Sequence, residues 1–127
     1  EGGQSQYVEH AVLATEDEEL GPIIDWMTMH LSEPFAIEEV ADRFAVSLRP
    51  LQRRFRNLTG QSPLSWLNHQ RVNKACALLE ATDLTIEQIA DRSGLGSAAN
   101  LRKHFDRLLK TTPSGYRSAF SSKGSRQ

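Results

Sequence analysis

Apolar residues recur three and four positions apart in seven stretches of this chain, the spacing that places side chains on one face of an α-helix. Pro22, Pro63 and Pro113 each stand where a first helical turn tolerates proline, and Ser62 and Thr112 precede two of them as candidate N-caps. No stretch has a convincing strand pattern. The predicted fold class is therefore all-α, with seven helices at about 21–32, 37–45, 48–58, 63–81, 86–93, 97–109 and 113–120.

One pattern occurs twice, about fifty residues apart. Residues 37–55 and 86–105 share the core Ile-Glu-x-(Val or Ile)-Ala-Asp-Arg at an offset of 49. Each copy predicts a short helix, a turn and a second helix, which together are typical of a helix-turn-helix. Ser47, Thr85 and Ser97 are candidate N-caps within the copies. After a one-residue insertion in the turn, the apolar positions repeat at an offset of 50: Leu51, Phe55 and Leu58, then Leu101, Phe105 and Leu108.

The repeat predicts two helix-turn-helix subdomains joined by a long linker helix. This helix has some 18 residues, and a rise of 1.5 Å per residue makes it roughly 27 Å long. Successive major-groove faces on one side of B-DNA are about 34 Å apart, so the length suits two recognition helices on one duplex. The predicted boundaries are a linker or disordered segment at 1–20, the first subdomain at 21–62, the linker helix at 63–81, the second subdomain at 82–120 and a disordered tail at 121–127.

Charge is distributed unevenly along the chain, although the formal net charge is only −1. Residues 1–47 hold eleven acidic residues and one basic residue, whereas residues 48–127 hold five acidic and fourteen basic residues. A polyanion responds to the potential within about one Debye length, roughly 8–10 Å, and not to the total charge. The basic part of the chain is therefore a candidate nucleic-acid surface.

The third predicted helix has the strongest signal for DNA binding. Arg49, Gln52, Arg53 and Arg56 share one face, and no acidic residue occurs within 48–59. Arginine can bind guanine O6 and N7 with two hydrogen bonds, and glutamine can do the same with adenine N6 and N7. The residue types and the spacing of this face therefore predict that it contacts bases.

The sixth predicted helix has fewer side chains that can form hydrogen bonds with bases. Its outward residues are Ala98, Ala99, Arg102 and Lys103, and alanine can contact only thymine methyl groups or the backbone. Arg102 is expected to be the main base contact, and the two subdomains are expected to contribute unequally to specificity. The predicted phosphate contacts are Ser47, Arg54, Arg56, Arg71, Lys74, Ser97, His104 and Arg107.

An enzyme and a module for protein contacts alone are the alternative functions. The only cysteine, Cys76, lies in an apolar helical pattern and is expected in the core, and no two histidines have metal-ligand spacing. We therefore predict no catalytic residues, no metal and no cofactor. The third predicted helix holds four arginines, which would be a poor core for a protein interface, and this argues against the second alternative.

The second copy and the residues after it resemble the AraC/XylS family of bacterial transcription regulators. The resemblance rests on residues 89–95, 100–105 and 112–117 and covers about 21–120. It implies that the two units bind adjacent major-groove segments. The base-contacting positions that it implies are Arg49, Gln52 and Arg53 in the first unit and Ala98, Ala99, Arg102 and Lys103 in the second. The first copy departs from the family pattern because Ala45 stands where the second copy has Gly94.

The resemblance also implies a missing domain. Residues 2–8 look like the linker of the branch whose amino-terminal sensor domain is similar to class I glutamine amidotransferases. We therefore expect a fragment of a longer cytoplasmic regulator, an activator that contacts RNA polymerase and responds to a small-molecule effector only through a domain absent from this chain. No apolar run approaches the roughly 18 residues that a membrane-spanning helix needs.

Overall fold

The computed structural model describes residues 18–125, and every regular element in that range is an α-helix. The all-α prediction is confirmed. Residues 1–17 of the predicted linker and the last two residues of the predicted tail lie outside the described range. The helices are α1 (Leu20–Met29), α2 (Ile37–Arg43), α3 (Leu48–Thr59), α4 (Pro63–Ala81), α5 (Ile86–Ser93), α6 (Ala98–Leu109) and α7 (Pro113–Ser125).

The helices form two compact units, and the division falls within α4, between Leu67 and Asn68. The long helix is thus shared between the units, whereas the sequence prediction treats it as a separate linker. Its first five residues include Trp66 and Leu67, both buried in the core of the first unit. Its later residues, from Val72 to Leu79, contribute to the core of the second unit.

The first unit is built around the apolar faces of α1, α2 and α3. Phe55 of α3 is fully buried and meets Trp66 edge to face, with ring centroids 5.7 Å apart. Burying each large apolar side chain stabilises the fold by about 1.5–3 kcal/mol. The other buried members of this core are Leu20, Ile23, Ile24, Met27, Leu31, Val40, Ala41, Leu51 and Leu67.

Helix α1 begins and ends earlier than the sequence pattern predicts. It starts at Leu20, which is fully buried, and ends at Met29. His30 therefore follows the helix, where its ring stacks on Trp26 at a centroid distance of 4.2 Å. The guanidinium of Arg43 lies 4.8 Å from the Trp26 ring, a cation–π distance. His30 and Trp26 thus form a half-buried aromatic contact at the edge of the core and are not part of its interior.

Side-chain caps fix most of the predicted helix starts. Thr85 accepts a hydrogen bond from the Gln88 amide while Gln88 accepts from the Thr85 amide, which completes the predicted capping box. Ser62, Ser97 and Thr112 also accept from amides in the first turns of their helices. Ser47 is the N-cap residue of α3, as predicted, but its side chain makes no capping hydrogen bond.

The second unit has its own core around α4, α5 and α6. Phe105 is fully buried and meets Tyr116 of α7 edge to face, with ring centroids 6.1 Å apart. Cys76 is buried as predicted, and this burial raises the pKa of its thiol to about 11. The thiol is therefore protonated at neutral pH and serves as a small apolar side chain.

Helix α7 runs to Ser125 and so includes residues 121–125 of the segment that the sequence predicts as a disordered tail. The helix is anchored by Arg117, whose guanidinium donates to the carbonyl oxygens of Leu79 (3.2 Å), Leu84 (2.8 Å) and Thr82 (3.0 Å). Tyr116 adds a hydrogen bond to the Glu80 carboxylate. These bonds connect α7 to the end of α4 and to the segment that leads into α5.

The two copies of the repeat place left-handed backbone at equivalent positions but with different residues. In the turn, Ala45 has φ 55° where Gly94 has φ 89°. At the end of the following helix, Gly60 has φ 78° where Lys110 has φ 59°. Left-handed backbone costs a residue with a Cβ roughly 1–2 kcal/mol, so Ala45 and Lys110 are both strained.

Lys110→Gly is expected to stabilise the protein by about 0.5–1 kcal/mol, because relief of the left-handed strain exceeds the extra chain entropy of glycine. Urea unfolding followed by circular dichroism measures this change. Lys110→Ala is the control, since it removes the same charge but keeps the Cβ and should give no gain. Equal stability of both variants would show that relief of left-handed strain at residue 110 does not stabilise the protein.

Candidate DNA-binding surface

Helix α3 buries one face and exposes the other along its whole length. Leu51 and Phe55 are buried in the first unit, because their four-residue spacing follows the helix turn. The side chains that lie on the exposed face are those of the predicted DNA contacts Arg49, Gln52, Arg53 and Arg56. The helix therefore presents three guanidinium groups and one amide to solvent.

Arg54 differs from the other arginines of α3. Its guanidinium forms an ion pair with the carboxylate of Glu19, with a nitrogen–oxygen distance of 2.9 Å. Glu19 directly precedes α1, so the pair joins the starting end of α1 to α3. Because its charge is already paired within the unit, Arg54 is a weaker candidate for a phosphate contact than the sequence prediction made it.

Helix α6 repeats this arrangement in the second unit, with a smaller basic face. Ala99, Arg102 and Lys103 are exposed, and Ala98 is half-buried. Leu101 and Phe105 lie on the opposite side in the core. The exposed cations begin only in the second turn of the helix, and its first turn holds Ala98, Ala99, Asn100 and Leu101, with no charged side chain.

Asn100 fixes the start of α6, a role that the sequence reasoning did not assign. Its side-chain amide donates to the carbonyl oxygen of Leu95 (2.9 Å), and its backbone amide donates to the hydroxyl of the N-cap Ser97 (3.1 Å). Both bonds tie the turn to the helix and so set where Ala99 and Arg102 lie. The cue in the sequence is an asparagine three positions after a capping serine.

Two predicted phosphate contacts are buried, so the structure does not support that role for them. Arg71 of α4 and His104 of α6 each expose only 8% of their surface. Burial lowers the pKa of Arg71, and burial together with the nearby cations Arg107, Lys103 and Arg71 lowers the pKa of His104. The remaining predicted phosphate contacts, which are exposed, are Ser47, Arg56, Lys74, Ser97 and Arg107.

Features of other function classes are sparse in the part of the chain that the structure describes. Within residues 18–125, no three His, Cys, Asp or Glu side chains group as a metal site. None of the helices in that range is both long enough and apolar enough to cross a membrane.

Comparison with known proteins places this arrangement in a family. Residues 40–119 match the family model described as a helix-turn-helix domain. The fold is similar to the crystal structure of an AraC-type transcriptional regulator from Chromobacterium violaceum, with 27% identity and a TM-score of 0.72 over 79% of this chain and 89% of that one. The chain belongs to the AraC-type helix-turn-helix family.

Other known proteins are closer in sequence. The DNA-binding domain of the global transcriptional factor AdpA, solved in complex with a target DNA, is 41% identical with a TM-score of 0.80, over 84% of this chain and 96% of that one. The transcriptional activator RhaS of Citrobacter koseri is 34% identical over 100 residues, which are 79% of this chain and 36% of that protein. RhaS of Enterobacter sp. is 36% identical over 101 residues. The chain thus spans about a third of the length of the curated relatives it matches.

Proposed function

We propose that this chain binds double-stranded DNA in a sequence-specific manner, with α3 and α6 as its recognition helices. The observation that carries the proposal is the exposed face of α3. Arg49, Gln52 and Arg53 point away from a core that holds Leu51 and Phe55. This is the pattern that a recognition helix needs, since it must pack on its own domain and still reach base edges.

Helix α6 is proposed to bind a second major-groove segment of the same duplex. The 19 residues of α4 give that helix a length of about 28 Å, close to the roughly 34 Å between successive major-groove faces. Arg102 and Lys103 would supply its base contacts, and Ala98 and Ala99 would contact thymine methyl groups or the backbone.

The two recognition helices would contribute unequally. α3 exposes two arginines and a glutamine at its base-contacting positions, whereas the first turn of α6 has no charged side chain. Most of the base discrimination is therefore assigned to α3. The exposed phosphate contacts would hold the chain in register, because contacts to phosphates position a protein without carrying sequence information.

In the whole protein, the chain is proposed to be the DNA-binding part of a ligand-responsive activator that contacts RNA polymerase. Support comes from its similarity to about a third of the activator RhaS. An amidotransferase-like sensor domain before residue 1 is proposed from the resemblance of residues 2–8 to the linker of that branch. Mass measurement of the native protein in its source cell tests this, and a product near 14.2 kDa would contradict it.

A salt titration of duplex binding tests the proposed function. A mixed-sequence duplex should bind at low salt, and the logarithm of affinity should fall steeply with the logarithm of salt as counterions are released. Selection from random duplexes should then recover a defined site that binds more tightly than the mixed sequence. A chain that folds but binds no duplex at low salt would instead be a module for protein contacts.

A further inference from the structure

His104 is buried in the second unit and accepts a hydrogen bond from an exposed arginine. The side chain of His104 is 8% exposed, and its Nδ1 lies 2.6 Å from a terminal guanidinium nitrogen of Arg107. A guanidinium has donors and no acceptor, so Nδ1 must be the acceptor. The imidazole is therefore neutral, with its proton on Nε2.

The charges that act on the pKa of this imidazole are positive. They belong to Arg107 and Lys103 of α6 and to Arg71 of α4. Together with burial, they hold the pKa of His104 below its ordinary value of 6.5. The neutral form that accepts from Arg107 is thus the form present at neutral pH.

Arg107 is placed to use its other donors outside the unit. It is exposed and stands one helical turn after Lys103, on the side of α6 that faces solvent. The first half of a recognition helix contacts base edges, so a cation in the last turn lies where the DNA backbone passes. A guanidinium has five N–H donors in a planar fork, and His104 uses one of them.

We propose that His104 is a positioning residue for DNA binding, whose neutral imidazole holds the Arg107 guanidinium in the orientation that binds a backbone phosphate. The inference rests on the proposed function and adds a proton-dependent element to it. A proton on Nδ1 would remove the acceptor and place an N–H against the guanidinium, so Arg107 must leave. The affinity for DNA therefore falls in acid, below the ordinary pKa of histidine.

The test compares the whole 127-residue chain with three single variants and one double variant on a mixed-sequence duplex between about pH 7.5 and pH 5, at constant ionic strength. His104→Gln keeps an acceptor that does not titrate, His104→Leu removes the acceptor, and Arg107→Ala removes the phosphate ligand. The affinity of the unsubstituted chain relative to His104→Gln should fall about three- to tenfold in acid, the value of one hydrogen bond. His104→Leu should be weak at every pH. In the Arg107→Ala background, His104→Gln should no longer change the pH profile.

Circular dichroism at each pH identifies the range in which all variants are folded, and only that range is compared. Parallel pH profiles for the unsubstituted chain and His104→Gln would overturn the inference. A pH effect that persists in the Arg107→Ala background would also overturn it, because a histidine that affects only the folding of the unit would produce the same effect. Affinity that rises in acid only when His104 is present would make His104 itself the phosphate ligand. Steep salt dependence at about pH 7.5 would still support the proposed function in each of these cases.

Discussion

Arg53→Ala is expected to weaken binding to a selected duplex by about 1–3 kcal/mol, or about five- to 150-fold. Arg53 is exposed in the middle of α3, one turn after Arg49. If its fork binds guanine O6 and N7, the loss should be concentrated at one base pair of the site. The measurement is the affinity for the selected duplex and for duplexes changed at single positions.

Arg53→Lys is the matched control, because it keeps the charge and removes the bidentate fork. Lysine should retain the salt dependence of the unsubstituted chain and lose base preference at the same position as alanine. The alanine variant should lose the base preference at that position, and its affinity should depend less on salt, with a salt slope lower by about one. A uniform loss of affinity over all duplexes would assign Arg53 to a phosphate, and α3 would then lack its central base contact.

Arg117→Ala is expected to destabilise the second unit by about 2–4 kcal/mol. The substitution removes three charge-assisted hydrogen bonds to the carbonyl oxygens of Leu79, Thr82 and Leu84, which then lose their partner at the end of α4. A cation at this end of a helix is also favoured by the helix dipole. Arg117→Lys should restore only part of the loss, since a lysine ammonium does not have the planar fork that reaches all three oxygens.

The positions of the tryptophans allow the two units to be followed separately during unfolding. Trp26 and Trp66 are the only tryptophans of the chain, and both belong to the first unit. In urea, Arg117→Ala should shift the loss of helical circular dichroism to lower concentration before tryptophan fluorescence changes. If Arg117→Ala loses helical circular dichroism at the same urea concentration as the unsubstituted chain, the three hydrogen bonds do not stabilise the second unit.

The sequence predicted what depends on neighbours along the chain. The alternation of Leu51 and Phe55 with arginines was enough to assign the faces of α3, because four-residue spacing is a property of the helix itself. The capping box at Thr85 was predictable for the same reason, since its partner is three residues away. In both cases the interacting groups are brought together by a single helix.

The burial of His104 and Arg71 could be predicted from their spacing but not from their residue type. His104 stands three residues after Leu101 and four before Leu108, within the apolar face of α6, and Arg71 stands four residues before Ala75 in α4. Their positive or potentially positive charge favours a phosphate contact, for which their burial leaves little exposed surface. Their spacing favours the core side of each helix, where the structure has them.

Contacts between distant residues had no signal in the chain. The ion pair of Glu19 and Arg54 joins side chains from separate elements, and neither residue differs in type from its charged neighbours. The three bonds of Arg117 depend on how α7 returns to the end of α4. Such pairs are decided by tertiary packing, and no local pattern encodes them.

The left-handed positions show that the two copies share a backbone path more closely than they share residues. Each copy has glycine at one of the two positions, Gly60 in the first and Gly94 in the second, and a side chain at the other. The fold therefore tolerates a strained residue once in each copy, at opposite ends of the second helix. A repeat with glycine at both positions would be less strained than either copy, so each copy leaves a different position at which its stability can be increased.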